Sequence, residues 1–138
     1  MFTHVKGLVS AATFLTLVGL LIAPVALARV VLNTINPVAI VTDNGRHLVV
    51  TGPIACTSGE KVYLRVTVTQ RSTGAVAEGR TRLTCTGDTQ QWEVHASTQG
   101  KDTFEAGPAT AVALGRTSNR GDITDAHQWL VDITLVGE

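Results

Sequence analysis

The chain of 138 residues predicts an all-β fold, a two-sheet antiparallel β-sandwich of about seven strands. Three observations lead there. From Pro37 onward apolar and polar residues alternate with a period of two, the pattern of strands with one face in a core. Clusters of Gly, Asn, Asp, Ser and Pro punctuate that alternation at short, regular intervals, as turns do in small sandwiches. Two cysteines, Cys56 and Cys85, lie in a segment small enough to benefit from a covalent staple.

Residues 1–28 differ from the rest. Lys6 is the only Lys or Arg before Arg29, and the stretch between them is apolar up to Pro24 and ends in Ala26-Leu27-Ala28. A short basic start, an apolar stretch and an Ala-x-Ala ending predict a secretory signal peptide over 1–28, cleaved before Arg29. An uncleaved anchor is the alternative, and the segment is then the only membrane contact expected. Residues 29–36 read as a linker or loose edge strand, and 37–138 as the sandwich domain. In an exported chain with two cysteines, a Cys56–Cys85 disulfide is expected.

Pro37 to Thr42 is the first strand, and Asp43-Asn44-Gly45 turns it, Asn-Gly being a strong hairpin signal. Arg46 to Gly52 follows. Lys61 to Arg71 alternates cleanly, with Val62, Leu64, Val66 and Val68 on the inner face. Ser72 to Ala75 turns the chain into Val76–Thr86, and Gly87-Asp88 turns it into Gln90–Ala96, with Trp92 and Val94 inward. Ser97 to Pro108 is a loop whose Phe104 plugs one end of the core. Ala109 to Leu114 is a weaker strand and Thr117 to Asp125 a polar loop. His127 to Val136 is last, with Trp129, Val131, Ile133 and Leu135 inward. The strand spacing suits the immunoglobulin-like type of sandwich, with a small barrel as the alternative.

Composition excludes some functions. Ten Lys and Arg follow Ala28, against eleven Asp and Glu, whereas a nucleic-acid partner calls for clustered excess positive charge. No G-x-S-x-G elbow occurs, and the histidines after Ala28 are only His47, His95 and His127, each in a strand-like run. No catalytic residue is therefore expected. H-x-H and H-E-x-x-H are absent, so no metal site or cofactor is expected. Asp102, Glu105, Asp122 and Asp125 lack the regular spacing of a calcium loop. Arg120-Gly121-Asp122 is the tripeptide integrins read in adhesion proteins, a match of three residues only. Both Trp fall on the inward phase, as core.

The segments GPIACTSGE, RLTCTGDTQQW and FEAGPATA, with Thr/Val-rich strands, few aromatics and one Cys pair, resemble small exported bacterial immunoglobulin-like domains. That resemblance implies a sandwich and no particular activity. The layout also resembles actinobacterial enediyne-carrying apoproteins, which implies a small-molecule carrier as an alternative function. A small secreted inhibitor stands beside the carrier, and a small hydrolase ranks below both. The leading expectation is a non-catalytic extracellular or cell-surface interaction module for a protein or envelope polymer.

One strand face stands out. A two-residue turn at Thr73-Gly74 places Arg65 opposite Arg82 and Thr67 opposite Arg80. A two-residue turn at Gly87-Asp88 adds Glu93 beside Arg82 and His95 beside Arg80. Like charges set opposite one another cost stability; either Glu78 and Glu93 offset that cost and leave a solvated charged face, or an anion does, which makes Arg65, Arg80, Arg82 and His95 a candidate anion-binding face.

Overall fold

The computed structural model describes residues 30–138, so the expected signal segment lies outside the described residues. All regular structure in that range is strand, apart from one 3-10 turn: β1 (Val30–Asn33), β2 (Val38–Thr42), β3 (His47–Cys56), β4 (Lys61–Gln70), β5 (Ala75–Thr84), β6 (Thr89–Thr98), β7 (Gly107–Asn119) and β8 (Asp122–Gly137). The turn, Asp43–Gly45, joins β2 to β3.

The all-β expectation holds, but the sandwich does not. Following hydrogen-bonded neighbours gives β3-β2-β8-β7-β4-β5-β6, and β6 then pairs back to β3. Seven strands therefore close into a barrel. A sandwich has two sheets with free edges, whereas here β3 and β6 are paired over nine residue pairs, from His47↔Ser97 to Ala55↔Thr89. Closure removes the exposed edges that a small open sheet would carry. One step in the ring is parallel, Val38↔Thr134 to Val41↔Gly137 between β2 and β8. β1 lies beside the final residues of β3, from Val30↔Cys56 to Asn33↔Ile54.

The inward positions explain how so narrow a barrel fills. β4 alternates without a break and puts Val62, Leu64, Val66, Val68 and Gln70 inside, all buried. Its hydrogen-bonded neighbour β7 sets Ala109, Ala111, Ala113 and Gly115 inward beside them. Small residues opposite branched ones suit a closed barrel, whose interior has room for few large side chains. The same alanines made β7 look weak as a sequence. Trp92 on β6 is fully buried against Gly52, where any Cβ would run into the indole and the Thr34 carbonyl. Trp129 is half-buried and packs on the core from above Gly115.

Each end has its own closure. At one end Phe104 is buried, and its backbone N–H donates to the Gly45 carbonyl at 2.8 Å. Asp43, Asn44 and Gly45 have φ of 51°, 56° and 86°, left-handed values that Asn, Asp and Gly tolerate best. Beside them Gln70, wholly buried, satisfies every polar atom of its amide. Nε2 donates to the carbonyls of Glu105 and Pro108, while Oε1 accepts from Glu105 N–H and the Thr73 hydroxyl. At the other end the Cys56–Cys85 disulfide joins the last residue of β3 to the residue after β5. Buried Glu60 lies at this end too. Its Oε1 accepts from the Thr124 hydroxyl at 2.6 Å, so the Thr117 hydroxyl in turn donates to Thr124 at 2.8 Å.

Two further expectations are corrected. Thr117 to Asp125 is no loop: β7 runs to Asn119, and a two-residue turn of Arg120 and Gly121 leads straight into β8. Both have positive φ, 53° and 87°, as a tight hairpin turn of the primed type requires. The β4–β5 connection is four residues, Arg71–Gly74, instead of two, because Gln70 pairs with Ala75. Gly74, at φ 78°, donates its N–H to the Gln70 carbonyl, and Thr73 Oγ1 accepts from Ala75 N–H.

Candidate functional site

The longer turn moves the β4–β5 register by two residues. Arg65 faces Arg80, Tyr63 faces Arg82 and Thr67 faces Glu78; the expected Arg65–Arg82 and Thr67–Arg80 pairs do not form. A shift of two keeps every side chain on its face, so the arginines remain outside, and all three are exposed.

β7 borders β4 on its other side and adds what the sequence did not suggest. Arg116 is the partner of Tyr63, and Leu114 the partner of Arg65. β8 continues both rows with Ala126 beside Arg116 and Gln128 beside Leu114. Two adjacent rows thus cross four strands on the outer wall, Arg80–Arg65–Leu114–Gln128 and Arg82–Tyr63–Arg116–Ala126. They enclose a half-open groove of about 640 Å³, lined by Tyr63, Arg65, Arg80, Leu114, Arg116 and Gln128 among others. Arg82, with Lys61 and Tyr63, lines a smaller hollow of about 310 Å³ next to it.

The charge in this region is poorly balanced. Glu78 takes Arg80 at 3.2 Å. Among the described residues no carboxylate lies within ion-pair distance of Arg65, Arg82 or Arg116. The Arg116 guanidinium instead sits 5.2 Å from the centre of the Tyr63 ring, a cation–π contact that orders the side chain without neutralising it. An arginine fork held this way matches carboxylate or phosphate oxygens in pairs. Leu114 and Ala126 supply an apolar floor.

His95 leaves this cluster. The β5–β6 ladder stops after Ala77↔Thr98 and Glu78↔Ser97, so Arg80 and Arg82 find no ladder partner on β6. At Gly79 the strands press together, because a Cβ there would collide with the His95 carbonyl. Beyond it the Gln90 side chain spans the seam, donating to the Thr84 carbonyl and accepting from Thr86 N–H. Glu93 therefore pairs with His95 at 2.8 Å instead of Arg82, and His95 Nδ1 lies 3.0 Å from His47 Nε2 on β3.

The remaining candidates are dispersed. His127 pairs with Asp125 at 2.9 Å. Asp102 and Glu105 belong to the loop at the Phe104 end, while Asp122 and Asp125 lie at the disulfide end, so the acids do not converge. Arg120-Gly121-Asp122 forms the exposed β7–β8 turn. Cys56 and Cys85 are joined and leave no thiol among the described residues. No group of three or more His, Cys, Asp or Glu among the described residues is arranged to enclose a metal ion. Compared with protein-family models and with curated proteins, the chain matches none.

Proposed function

We propose that the domain is a non-catalytic binding module working outside the cell or on its surface, and that it holds an anionic ligand in the groove across β5, β4, β7 and β8. The observation that carries this reading is that Arg65 and Arg116 line one groove of about 640 Å³ and Arg82 the adjoining hollow of about 310 Å³, all three without an acidic partner among the described residues. Arginines directly opposite or diagonal to one another repel across a sheet. A bound polyanion removes that cost and replaces weak hydration with forked hydrogen bonds. The disulfide favours an oxidising compartment, and the apolar start of the sequence favours export. The barrel interior is filled by its own side chains, which favours a ligand on the wall over one carried inside.

Titration with polygalacturonate and with inorganic polyphosphate, at low and high salt, tests this. Arg65→Ala and Arg116→Ala should each weaken binding about tenfold or more and reduce its salt dependence, as loss of an ionic contact does. Circular dichroism should show both variants folded. Wild-type binding that is absent for both polymers, or equal in the variants and insensitive to salt, overturns the proposal.

A further inference from the structure

A second constellation lies outside the groove and depends on no part of that reading. His47 opens β3, and His95 lies on the adjacent strand β6, paired with Val49 while His47 pairs with Ser97. The two histidines are diagonal neighbours on the outer face. Their rings are 5.2 Å apart at an interplanar angle of 36°, and His47 Nε2 faces His95 Nδ1 at 3.0 Å. On the far side of the same ring, His95 Nε2 meets Glu93 Oε2 at 2.8 Å.

The carboxylate fixes the proton positions. An ionised Glu93 only accepts, so His95 Nε2 carries the hydrogen. In neutral His95 that leaves Nδ1 with a free lone pair, and His47 Nε2–H donates to it. Two imidazole nitrogens therefore face each other at 3.0 Å, and one ring already has a carboxylate behind it. This is the arrangement by which proteins orient and strengthen a metal-binding histidine. At metal–nitrogen bonds of about 2.0–2.1 Å, two ligands on one ion sit roughly 3 Å apart, which is the spacing present here.

We propose that His47 and His95 form a two-histidine surface site for a divalent transition metal, Cu²⁺ foremost, with Glu93 acting as the positioning residue behind His95. Imidazole suits Cu²⁺, Ni²⁺ and Zn²⁺, and Cu²⁺ heads their affinity order. On binding, His95 keeps its tautomer and ligates through Nδ1. His47 moves its proton from Nε2 to Nδ1 through solvent and ligates through the vacated Nε2. Water completes the coordination, because the side chains are on the open face. Among the described residues Glu78 of β5 lies in the same cross-strand row, paired with Ser97 as His47 is, its carboxylate held by Arg80, and Arg46 precedes His47 in the chain.

The test is titration of the full chain with CuCl₂, followed by calorimetry and electron paramagnetic resonance. Wild type should take up one copper equivalent that His47→Ala and His95→Ala lose, with nitrogen hyperfine structure from two imidazoles that both alanine variants lack. Glu93→Gln should retain the equivalent but bind it about tenfold more weakly, as loss of an outer partner does. His4 and His127 are kept in every variant, so the loss is read against a constant background. Copper uptake and spectra unchanged in both alanine variants would overturn the site.

Discussion

At the residue scale, two polar side chains show how differently a buried and an exposed group are held. Gln70 is fully buried and makes four hydrogen bonds, joining the end of β4 to the segment Glu105–Pro108. Removing its amide leaves two carbonyls, an N–H and a hydroxyl without their partner. Each buried orphan costs about 1–3 kcal/mol, less where the loop can move into water. Gln70→Leu, of similar size, should destabilise the domain by about 2–4 kcal/mol in urea unfolding, with the loop 99–106 becoming the first region to exchange its amide hydrogens. The arginines are exposed and behave oppositely. Arg65→Ala should alter stability by less than about 0.5 kcal/mol and show its effect in ligand binding. The arginines were legible as a face but not as pairs, because nothing in Ser72-Thr73-Gly74 distinguishes a two-residue turn from a four-residue one.

At the scale of the elements, the seam between β5 and β6 is the weakest step in the ring. It has two ladder pairs, against ten between β4 and β5. Gly79 permits the close crossing at its start, and Gln90 bridges the divergence at its end. Gly79→Val would drive a branched side chain into the His95 carbonyl and the Val94 methyl. Neither strand can give way without losing its pairing to β4 or β3. We expect a loss of about 3 kcal/mol or more, visible as a lowered unfolding midpoint and as faster exchange along β6. A Gly100→Val control should be near neutral, since a Cβ at Gly100 meets nothing within 4 Å. The β7–β8 hairpin teaches a related lesson. Its turn residues, Arg120-Gly121, carry the required left-handed backbone, yet Thr117, Ser118 and Asn119 read as loop because polar residues dominate. Thr is also a good strand former, and here the tertiary neighbours decide: Lys61 to Tyr63 of β4 pair with Arg116 to Ser118.

For the whole molecule, closure is the main structural fact, and the disulfide protects it where hydrogen bonding is thinnest. Cys56 ends β3 and Cys85 follows β5, while β6, between them, is bonded fully only to β3. The bridge therefore ties the two sides of the open seam across β6. With a sequence separation of 29, loop-closure entropy contributes about 3–4 kcal/mol. The Cys56→Ser/Cys85→Ser double variant should lose about that much in urea unfolding. Its hydrogen exchange should rise first over Thr84–Gln90. Uniform loss across the barrel would show that the bridge acts only on the unfolded chain.

The sequence by itself determined that the chain is all-β, where most strands lie, which residues point inward and which two cysteines can pair. These are local properties. A period of two assigns faces residue by residue, and a register error of two leaves every assignment intact, as Arg65 and Arg82 show. What only the tertiary structure decided is which strands are neighbours. The parallel β2–β8 pair, the β3–β6 closure, the entry of Arg116 beside Tyr63 and the meeting of His47 with His95 each join segments far apart in the chain. Such contacts depend on how edges meet once the sheet twists and closes. The run Ala109, Ala111 and Ala113 read only as a weak strand; its place beside Val66 and Val68 of β4, where small residues suit a tightly curved wall, appears only in the closed barrel.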